Sequence, residues 1–207
     1  MNTDLENVLT EIDSSSCWDP ITQEIPIPEG WHIISTYVNP IDKNMESVFN
    51  DIISSIQIVK NGAGSVYWPE YDLNSIGEIS VKEGYQIKSF ENTTLSIEGT
   101  LTPYDSTIDL PESWSLISYL HQEPANVEDL MMPLVNNLII VKGPSGNVYW
   151  PEYNLNSLGN MNPGTGYKIK TITATSFSYP EKFHPSGPIR GETTETEIRF
   201  SRSLRLR

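Results

Sequence analysis

A segment of eleven residues occurs twice in the chain with almost the same letters. Residues 67–77 read YWPEYDLNSIG, and residues 149–159 read YWPEYNLNSLG. The two copies differ only at Asp72/Asn154 and Ile76/Leu158, and both exchanges keep size and shape. Such agreement within one chain indicates that the two segments adopt the same local structure. The sequence therefore predicts a tandem duplication.

The matching continues on both sides of this segment. Trp31 corresponds to Trp114 at an offset of 83 residues, and Lys60 corresponds to Lys142 at an offset of 82. One residue is therefore lost between the first strand and the following helix, a change that a loop absorbs. We predict five parts along the chain: an N-terminal arm at 1–24, a first module at 25–101, a linker at 102–109, a second module at 110–179 and a basic C-terminal arm at 180–207.

The modules are predicted to be rich in β-structure. Only 37% of the residues are apolar, and they concentrate in short runs of Val, Ile, Tyr and Trp. Residues 56–60 and 65–68 flank a glycine-rich turn, which is typical of a hairpin. Residues 45–52 carry apolar side chains at helical spacing. The expected fold class is β-rich α+β: two tandem modules, each a small twisted sheet or partial barrel with one short helix, flanked by extended arms.

Charge and composition exclude several classes of function. The net charge of −14 argues against binding nucleic acid through a general positive field. Cys17 is the only cysteine, so an intramolecular disulfide is impossible. No apolar run approaches the roughly 20 residues of a membrane span. Residues 1–10 carry acids and no apolar run, and we therefore expect no secretory signal.

Both arms carry residues suited to docking against other subunits. The N-terminal arm has apolar residues at helical spacing, too short a stripe to be stable alone in water. In the C-terminal arm apolar residues alternate with polar or basic ones, the pattern of a strand that adds to the edge of a partner's sheet. The alternative is a solvated tail. The predicted docking residues are Leu5, Val8, Leu9, Ile12, Arg199, Phe200, Arg202, Leu204, Arg205, Leu206 and Arg207.

The sequence carries no recognisable catalytic motif. His32, His121 and His184 fall at unrelated positions, and no Cys or His lies at the spacing of metal ligands. The glycine clusters at 61–64 and 143–146 lack the Lys-Ser/Thr of a phosphate loop, so they are predicted to be hairpin turns. We predict that the chain is not an enzyme and uses no metal or cofactor.

The repeated aromatic segment is the candidate ligand site. A site that binds a carbohydrate or a protein epitope needs flat apolar rings with polar groups at the rim. The competing hypothesis, which we favour, is that Trp68 and Trp150 fill the cores while the tyrosine hydroxyls cap loop backbone groups. The candidate residues are Tyr67, Trp68, Glu70, Tyr71, Tyr149, Trp150, Glu152 and Tyr153.

The whole pattern resembles a repeat module of surface and secreted proteins of Bacteroidetes and of marine phage sequences. The resemblance is carried by Gly30-Trp31, Ile34-Ser35-Thr36-Tyr37, Ile58-Val59-Lys60, Tyr67-Trp68-Pro69-Glu70, Asn74-Ser75-Ile76-Gly77 and Glu83-Gly84-Tyr85-Gln86-Ile87-Lys88. It covers residues 28–101 well and 110–172 less closely, since Ser113 replaces the glycine before Trp114. The resemblance implies an extracellular or virion-surface context and no enzymatic residues. Because no signal segment is expected, a phage protein is favoured.

Two functional hypotheses follow, and a third, a hydrolase with dispersed carboxylates, is the least favoured. The first is a virion structural protein, such as an auxiliary, fibre-base, neck or tail component, assembled in the host cytoplasm. Its partners would be other structural subunits, including copies of itself, with no nucleic acid bound through the body and no membrane span. The alternative is an extracellular or cell-surface adhesion module that binds a carbohydrate or a receptor.

Overall fold

The computed structural model describes residues 19–181, which are rich in β-structure. We call residues 19–107 the first half and residues 108–181 the second half. The strands of the first half are β1 (Ile21–Ile27), β2 (Gly30–Ile34), β3 (Val38–Pro40), β4 (Ile56–Lys60), β5 (Val66–Trp68), β6 (Leu73–Asn74), β7 (Tyr85–Ser89) and β8 (Thr93–Leu101). Those of the second half are β9 (Ile108–Leu110), β10 (Ser113–Ile117), β11 (Ala125–Asn126), β12 (Leu138–Lys142), β13 (Val148–Trp150), β14 (Leu155–Asn156), β15 (Asn160–Met161), β16 (Tyr167–Thr171) and β17 (Thr175–Phe177).

Each half contains an antiparallel five-stranded sheet with the same arrangement of strands. The order is β2-β7-β4-β5-β6 in the first sheet and β10-β16-β12-β13-β14 in the second. The registers also agree, since Trp31 pairs with Lys88 in one sheet and Trp114 with Lys170 in the other. An irregularity in the pairing recurs at the start of β4 and of β12. The predicted hairpin of β4 and β5 is confirmed.

A short helix precedes strand β4 in the first half and strand β12 in the second. Helix α1 (Met45–Val48) and helix α2 (Val127–Met131) both begin after an asparagine. The side chain of Asn44 accepts a hydrogen bond from the backbone N–H of Glu46, and Asn126 does the same for Glu128, both at 2.8 Å. Asparagine is among the best N-cap residues because its oxygen satisfies a free N–H of the first turn. The predicted helix at 45–52 is confirmed as α1 followed by a 3₁₀ turn at Asn50–Ile52.

The remaining sheets differ between the halves. Strands β1, β8 and β3 form a three-stranded sheet in the first half, whereas β17 and β9 form a two-stranded one in the second. A further pair, β11 and β15, lies beside α2, and an isolated bridge between Asn44 and Glu78 takes the matched place beside α1. Each half has its own apolar core, one containing Phe49 and Tyr85 and the other Tyr119 and Tyr167.

The two halves are joined by backbone hydrogen bonds that cross between them reciprocally, and we call this junction the seam. The N–H of Gly166 donates to the carbonyl oxygen of Ile33 at 2.9 Å, and the N–H of Gly84 donates to that of Leu116 at 3.3 Å. Antiparallel bridges lie beside both bonds, at Ile34/Thr165 and at Glu83/Ile117. The end of β2 therefore pairs with the segment before β16, while the end of β10 pairs with the segment before β7.

Two glycines allow the backbones to approach at the seam. A Cβ atom at Gly84 would lie 2.8 Å from the carbonyl oxygen of Ile117. One at Gly166 would lie 2.6 Å from the carbonyl oxygen of Ile34 and 3.2 Å from the Cα of Gly84. Distances this short to backbone atoms leave no room for any side chain. The glycines at these two matched positions are therefore required by the packing of one half on the other.

Several boundaries differ from the sequence expectations. Strand β1 begins at Ile21, inside the stretch predicted as an arm, because its alternating apolar residues pair with β8 and cover the first core. Residues 31–38 do not form one strand, since the chain leaves the first sheet after Ile34 and β3 begins at Val38. Strand β9 begins at Ile108, within the predicted linker. The predicted docking residues of both arms lie outside the described residues.

Candidate functional site

The repeated segment forms a sharp turn of the same shape in both halves. After β5 and after β13 the chain makes a 3₁₀ turn, at Pro69–Tyr71 and at Pro151–Tyr153. Proline suits the first position of such a turn because its φ is already fixed and no N–H is needed there. The next residue is left-handed, with φ 52° at Asp72 and 49° at Asn154. Asp and Asn tolerate this conformation better than other residues with side chains, which explains why only these two types stand there.

The second part of the segment is held by side-chain hydrogen bonds to the backbone. The amide oxygen of Asn74 accepts from the N–H of Gly77, and that of Asn156 accepts from the N–H of Gly159, both at 2.8 Å. The hydroxyl of Ser75 accepts a hydrogen bond from the N–H of Val66 and donates one to the carbonyl oxygen of Val66, so it closes the edge of the sheet. These contacts account for the identical Asn-Ser pair in the two copies without invoking a ligand.

The eight aromatic and acidic residues predicted as a ligand site are divided between two faces of each sheet. Tyr67 is buried in the first core, and Tyr149 packs half-buried against the second. Trp68 and Trp150 lie outside the core clusters, and both are half-buried. The prediction that these two tryptophans fill the cores is therefore wrong. Neighbouring residues of a strand point to opposite faces, so a buried Tyr67 places Trp68 on the other side.

On that outer side each tryptophan packs edge-on against the tyrosine of its own turn. The ring centroids of Trp68 and Tyr71 are 4.7 Å apart, and those of Trp150 and Tyr153 are 4.6 Å apart. Tyr71 and Tyr153 remain 64% and 63% exposed. Glu70 and Glu152, which complete the predicted set, are also exposed. Each half thus has an aromatic pair on this outer side, Trp68 with Tyr71 or Trp150 with Tyr153, which we call its aromatic ledge.

A second surface, which the sequence analysis did not find, lies on the outer faces of the central strands. It is built from one exposed tryptophan and the lysines next to it in each sheet, and we call it the Trp–Lys face. Its members are Trp31, Lys60 and Lys88 in the first half and Trp114, Lys142, Lys168 and Lys170 in the second. The alternation of lysine with apolar residues in β16 was visible in the sequence, but their placement beside Trp114 depends on the register of three strands.

Cation–π contacts hold the lysines against the indole rings. The ammonium of Lys60 lies 5.1 Å from the centroid of Trp31, and that of Lys142 lies 5.1 Å from that of Trp114. Lys170 approaches the Trp114 ring as well, at 5.8 Å. Trp31 is still 52% exposed and Trp114 44% exposed. Each ring therefore keeps apolar surface open to solvent beside fixed positive charge.

A cleft of about 370 Å³ opens next to Trp114, where the two halves meet. Its volume falls within the range of small-molecule sites. The first half contributes Asn61, Gly62 and Gln86, and the second half contributes the remaining wall. The residues of that wall are Trp114, Ser115, Leu116, Lys142 and Lys168.

The titratable groups elsewhere are mostly engaged in packing. His121 is buried, stacks on Tyr104 and has Nε2 3.1 Å from the carbonyl oxygen of Pro180. Burial lowers the pKa of His32 and raises that of Glu83. His184 lies outside the described residues. Within residues 19–181, no group of three or more His, Cys, Asp or Glu side chains is placed to hold a metal ion.

None of the helices between residues 19 and 181 has the length and apolar character needed to cross a bilayer. Comparison of the chain with protein-family models, with curated proteins and with solved structures finds no match.

Proposed function

We propose that the chain is a non-enzymatic structural subunit of a larger assembly, in which a rigid body holds partner-binding arms at its two ends. The observation that supports this proposal is the seam. Its reciprocal backbone bonds, and a packing at Gly84 and Gly166 that leaves no room for a Cβ atom, fix the relation of the halves, which a spacer between subunits requires. We further infer that the halves are copies of one module, because matched residues occupy matched places in both sheets.

The arms are the proposed docking elements. The N-terminal arm would bury its apolar stripe, including Leu5 and Leu9, against a neighbour. The C-terminal arm carries Arg199, Arg202, Arg205 and Arg207 with no acidic residue after Glu197. Such a basic segment suits an acidic groove or sheet edge on another subunit. By its resemblance to phage sequences, the assembly is proposed to be a virion and the partners its structural proteins or further copies of this chain.

Truncation tests the proposal while leaving the described body whole. We expect the full chain, purified from its natural source under native conditions, to sediment with a larger assembly. A variant lacking residues 1–18 and 182–207 is expected to sediment alone, with an unchanged thermal unfolding midpoint. A full chain that sediments as a solitary monomer, or a truncated body that still joins the assembly, would contradict the proposal.

The second candidate function is an extracellular or cell-surface adhesion module. The exposed rings favour it, namely Trp31 and Trp114 on the Trp–Lys face and Tyr71 and Tyr153 on the ledges. Exposed aromatic rings with polar neighbours are a common means of gripping sugars and protein epitopes. In this case removal of the arms would leave ligand binding unchanged.

A further inference from the structure

Positive charge is concentrated on one surface of an otherwise acidic body. Residues 19–181 contain seven lysines and no arginine, against twenty acidic residues. Five of the seven lysines lie on the Trp–Lys face, and the strands that form it, β2, β4, β7, β10, β12 and β16, contain no Asp or Glu. The basic groups of the body are therefore gathered where no acidic residue stands beside them in the strand.

The gathering is closest in the second half. Lys142 and Lys168 are direct register partners on neighbouring strands. Like charges directly opposite each other in a sheet are destabilising. At the matched place in the first half, Lys60 is paired with the neutral Gln86. The second half thus carries a pair of like charges that the matched sheet of the first half lacks. An anion bound between the two ammonium groups would reduce their repulsion.

The rim of the cleft beside this pair includes Gly62, a position without a side chain. The matched residue of the second half is the larger Pro144. Its polar wall includes Asn61 and Gln86. The amide oxygen of Asn61 already accepts hydrogen bonds from the N–H groups of Ala63 and Ser65, so the amide NH₂ of Asn61 is the group that can donate to a ligand. One site therefore offers an apolar ring, two ammonium groups and neutral amides.

We propose that this cleft binds a sugar unit that carries a carboxylate or a sulfate. The sugar ring would pack on the exposed part of Trp114, the anion would lie between Lys142 and Lys168, and the hydroxyl groups would bond Asn61 and Gln86. A nucleic acid strand fits the site less well, because the acidic surface around it repels a long phosphate backbone. The site contains no residue of the arms. The proposal goes beyond the structural role and rests on the second candidate function, to which it adds a ligand class.

Titration calorimetry of the full chain at low salt tests the site. The probes are a galacturonic acid tetrasaccharide, a sulfated tetrasaccharide, an uncharged glucose tetrasaccharide and an oligothymidylate. We expect one of the two acidic sugars to bind and the uncharged sugar to bind at least tenfold more weakly. Which acidic sugar binds distinguishes a uronate from a sulfate ester. Affinity should fall as salt is added, because the ammonium groups are partly exposed.

Matched variants locate the binding. Trp114→Ala and Lys168→Gln are each expected to weaken binding of the acidic sugar about tenfold or more, since each removes one of the two kinds of contact. Trp31→Ala, the matched change on the other half, should leave the affinity within about twofold. Lys168→Gln installs the residue that the first half already has at the matched position, so it tests the site even if Trp114→Ala destabilises the sheet.

Four results would overturn the proposal: no binding of either acidic sugar, equal binding of the uncharged one, tighter binding of oligothymidylate than of either sugar, or equal losses from Trp31→Ala and Trp114→Ala. Because no cleft residue belongs to the arms, the cleft variants should still join the larger assembly. Failure of sugar binding and failure of the proposed assembly are thus separate outcomes.

Discussion

The first and second halves share the residues that hold the backbone and differ in the residues that face solvent. The asparagine N-caps, the left-handed Asp72 or Asn154, and the seam glycines Gly84 and Gly166 stand at matched positions with the same role. One such difference lies at the cleft, where Gln86 is matched by Lys168. Geometry therefore constrains one set of positions, and the other set is free to give each half its own surface.

The halves also differ in how they close their cores away from the five-stranded sheet. The first half uses the long strand β8 between β1 and β3. The second half has shorter strands and fills the space with a cluster of rings, in which Tyr119 and Tyr179 lie edge-on at 5.6 Å. The hydroxyl of Tyr179 donates to the carbonyl oxygen of Ser118 at 2.7 Å. Ring packing and buried hydrogen bonds thus take the place of strand pairing.

The largest effect is expected at the seam. Gly166→Ala should lower the free energy of unfolding by about 3 kcal/mol, because the new methyl group meets backbone atoms of the first half that cannot rotate away. Urea denaturation measures the loss. Gly62→Ala is the control, since its methyl group would lie at an ordinary 3.5 Å from the nearest atom of Leu116. Equal stabilities of the two variants would show that the halves are not in close contact.

Alkaline pH is expected to destabilise both cores. Burial raises the pKa of Tyr85 to about 12 from its ordinary 10.0, and burial also raises the pKa of the matched Tyr167. The neutral hydroxyl is thus favoured in the folded state. Its contribution, about 2 kcal/mol for Tyr85, is fully present below pH 10 and is lost as the pH rises towards 12. Stability measured by urea denaturation across this range should fall.

Tyr85→Phe provides the control for the pH experiment. It should make the alkaline loss of stability smaller, whereas substitution of the exposed Tyr71 by Phe should leave the loss as it was. A pH dependence identical in wild type and Tyr85→Phe would contradict the assignment.

A smaller effect is expected from Tyr179→Phe. Removing the hydroxyl leaves the carbonyl oxygen of Ser118 without this donor in a buried place, at a cost of about 1.5 kcal/mol. The matched residue of the first half is Ile97, which has no hydroxyl group. Thermal and urea unfolding should show the loss. If the variant is as stable as the wild type, the ring cluster does not depend on this hydrogen bond.

The smallest effect is expected where the two copies of the repeated segment differ. Exchanging the pair, with Asp72→Asn and Asn154→Asp in one variant, should change the stability by less than about 0.5 kcal/mol, because both residue types adopt the left-handed conformation. Asp72→Val is the contrasting variant, since a β-branched residue is strained there and should cost more. A large loss from the exchange would mean that one of the two side chains has a role outside the turn.

Much of each half was predictable from the sequence because its signals are local. The helix at 45–52 follows from apolar spacing, and the hairpin of β4 and β5 follows from the glycines between them. The predicted core position of Trp68 was wrong because the alternation of side chains along a strand, and not the volume of the ring, decides which face it occupies. In a strand, a buried Tyr67 already commits the next residue to the opposite face.

The seam and the cleft depend on contacts between distant residues. Gly84 and Gly166 were recognisable as matched glycines, but their close approach exists only once two sheets are placed side by side. In the same way, Trp114 and Lys168 are far apart in sequence and meet through the register of β10, β16 and β12. The periodicity of a single strand does not show which residues of other strands it will contact.

Hydrogen exchange at the seam tests most directly the claim that the two halves form one rigid body. The backbone amides of Gly84 and Gly166 cross between the halves, and Ser35 and Ser118 donate across the same junction. We predict that all four amides exchange only with global unfolding, as slowly as amides in the central strands β7 and β16. Exchange of the seam amides at the rate of exposed turns, while the central strands stay protected, would contradict the account.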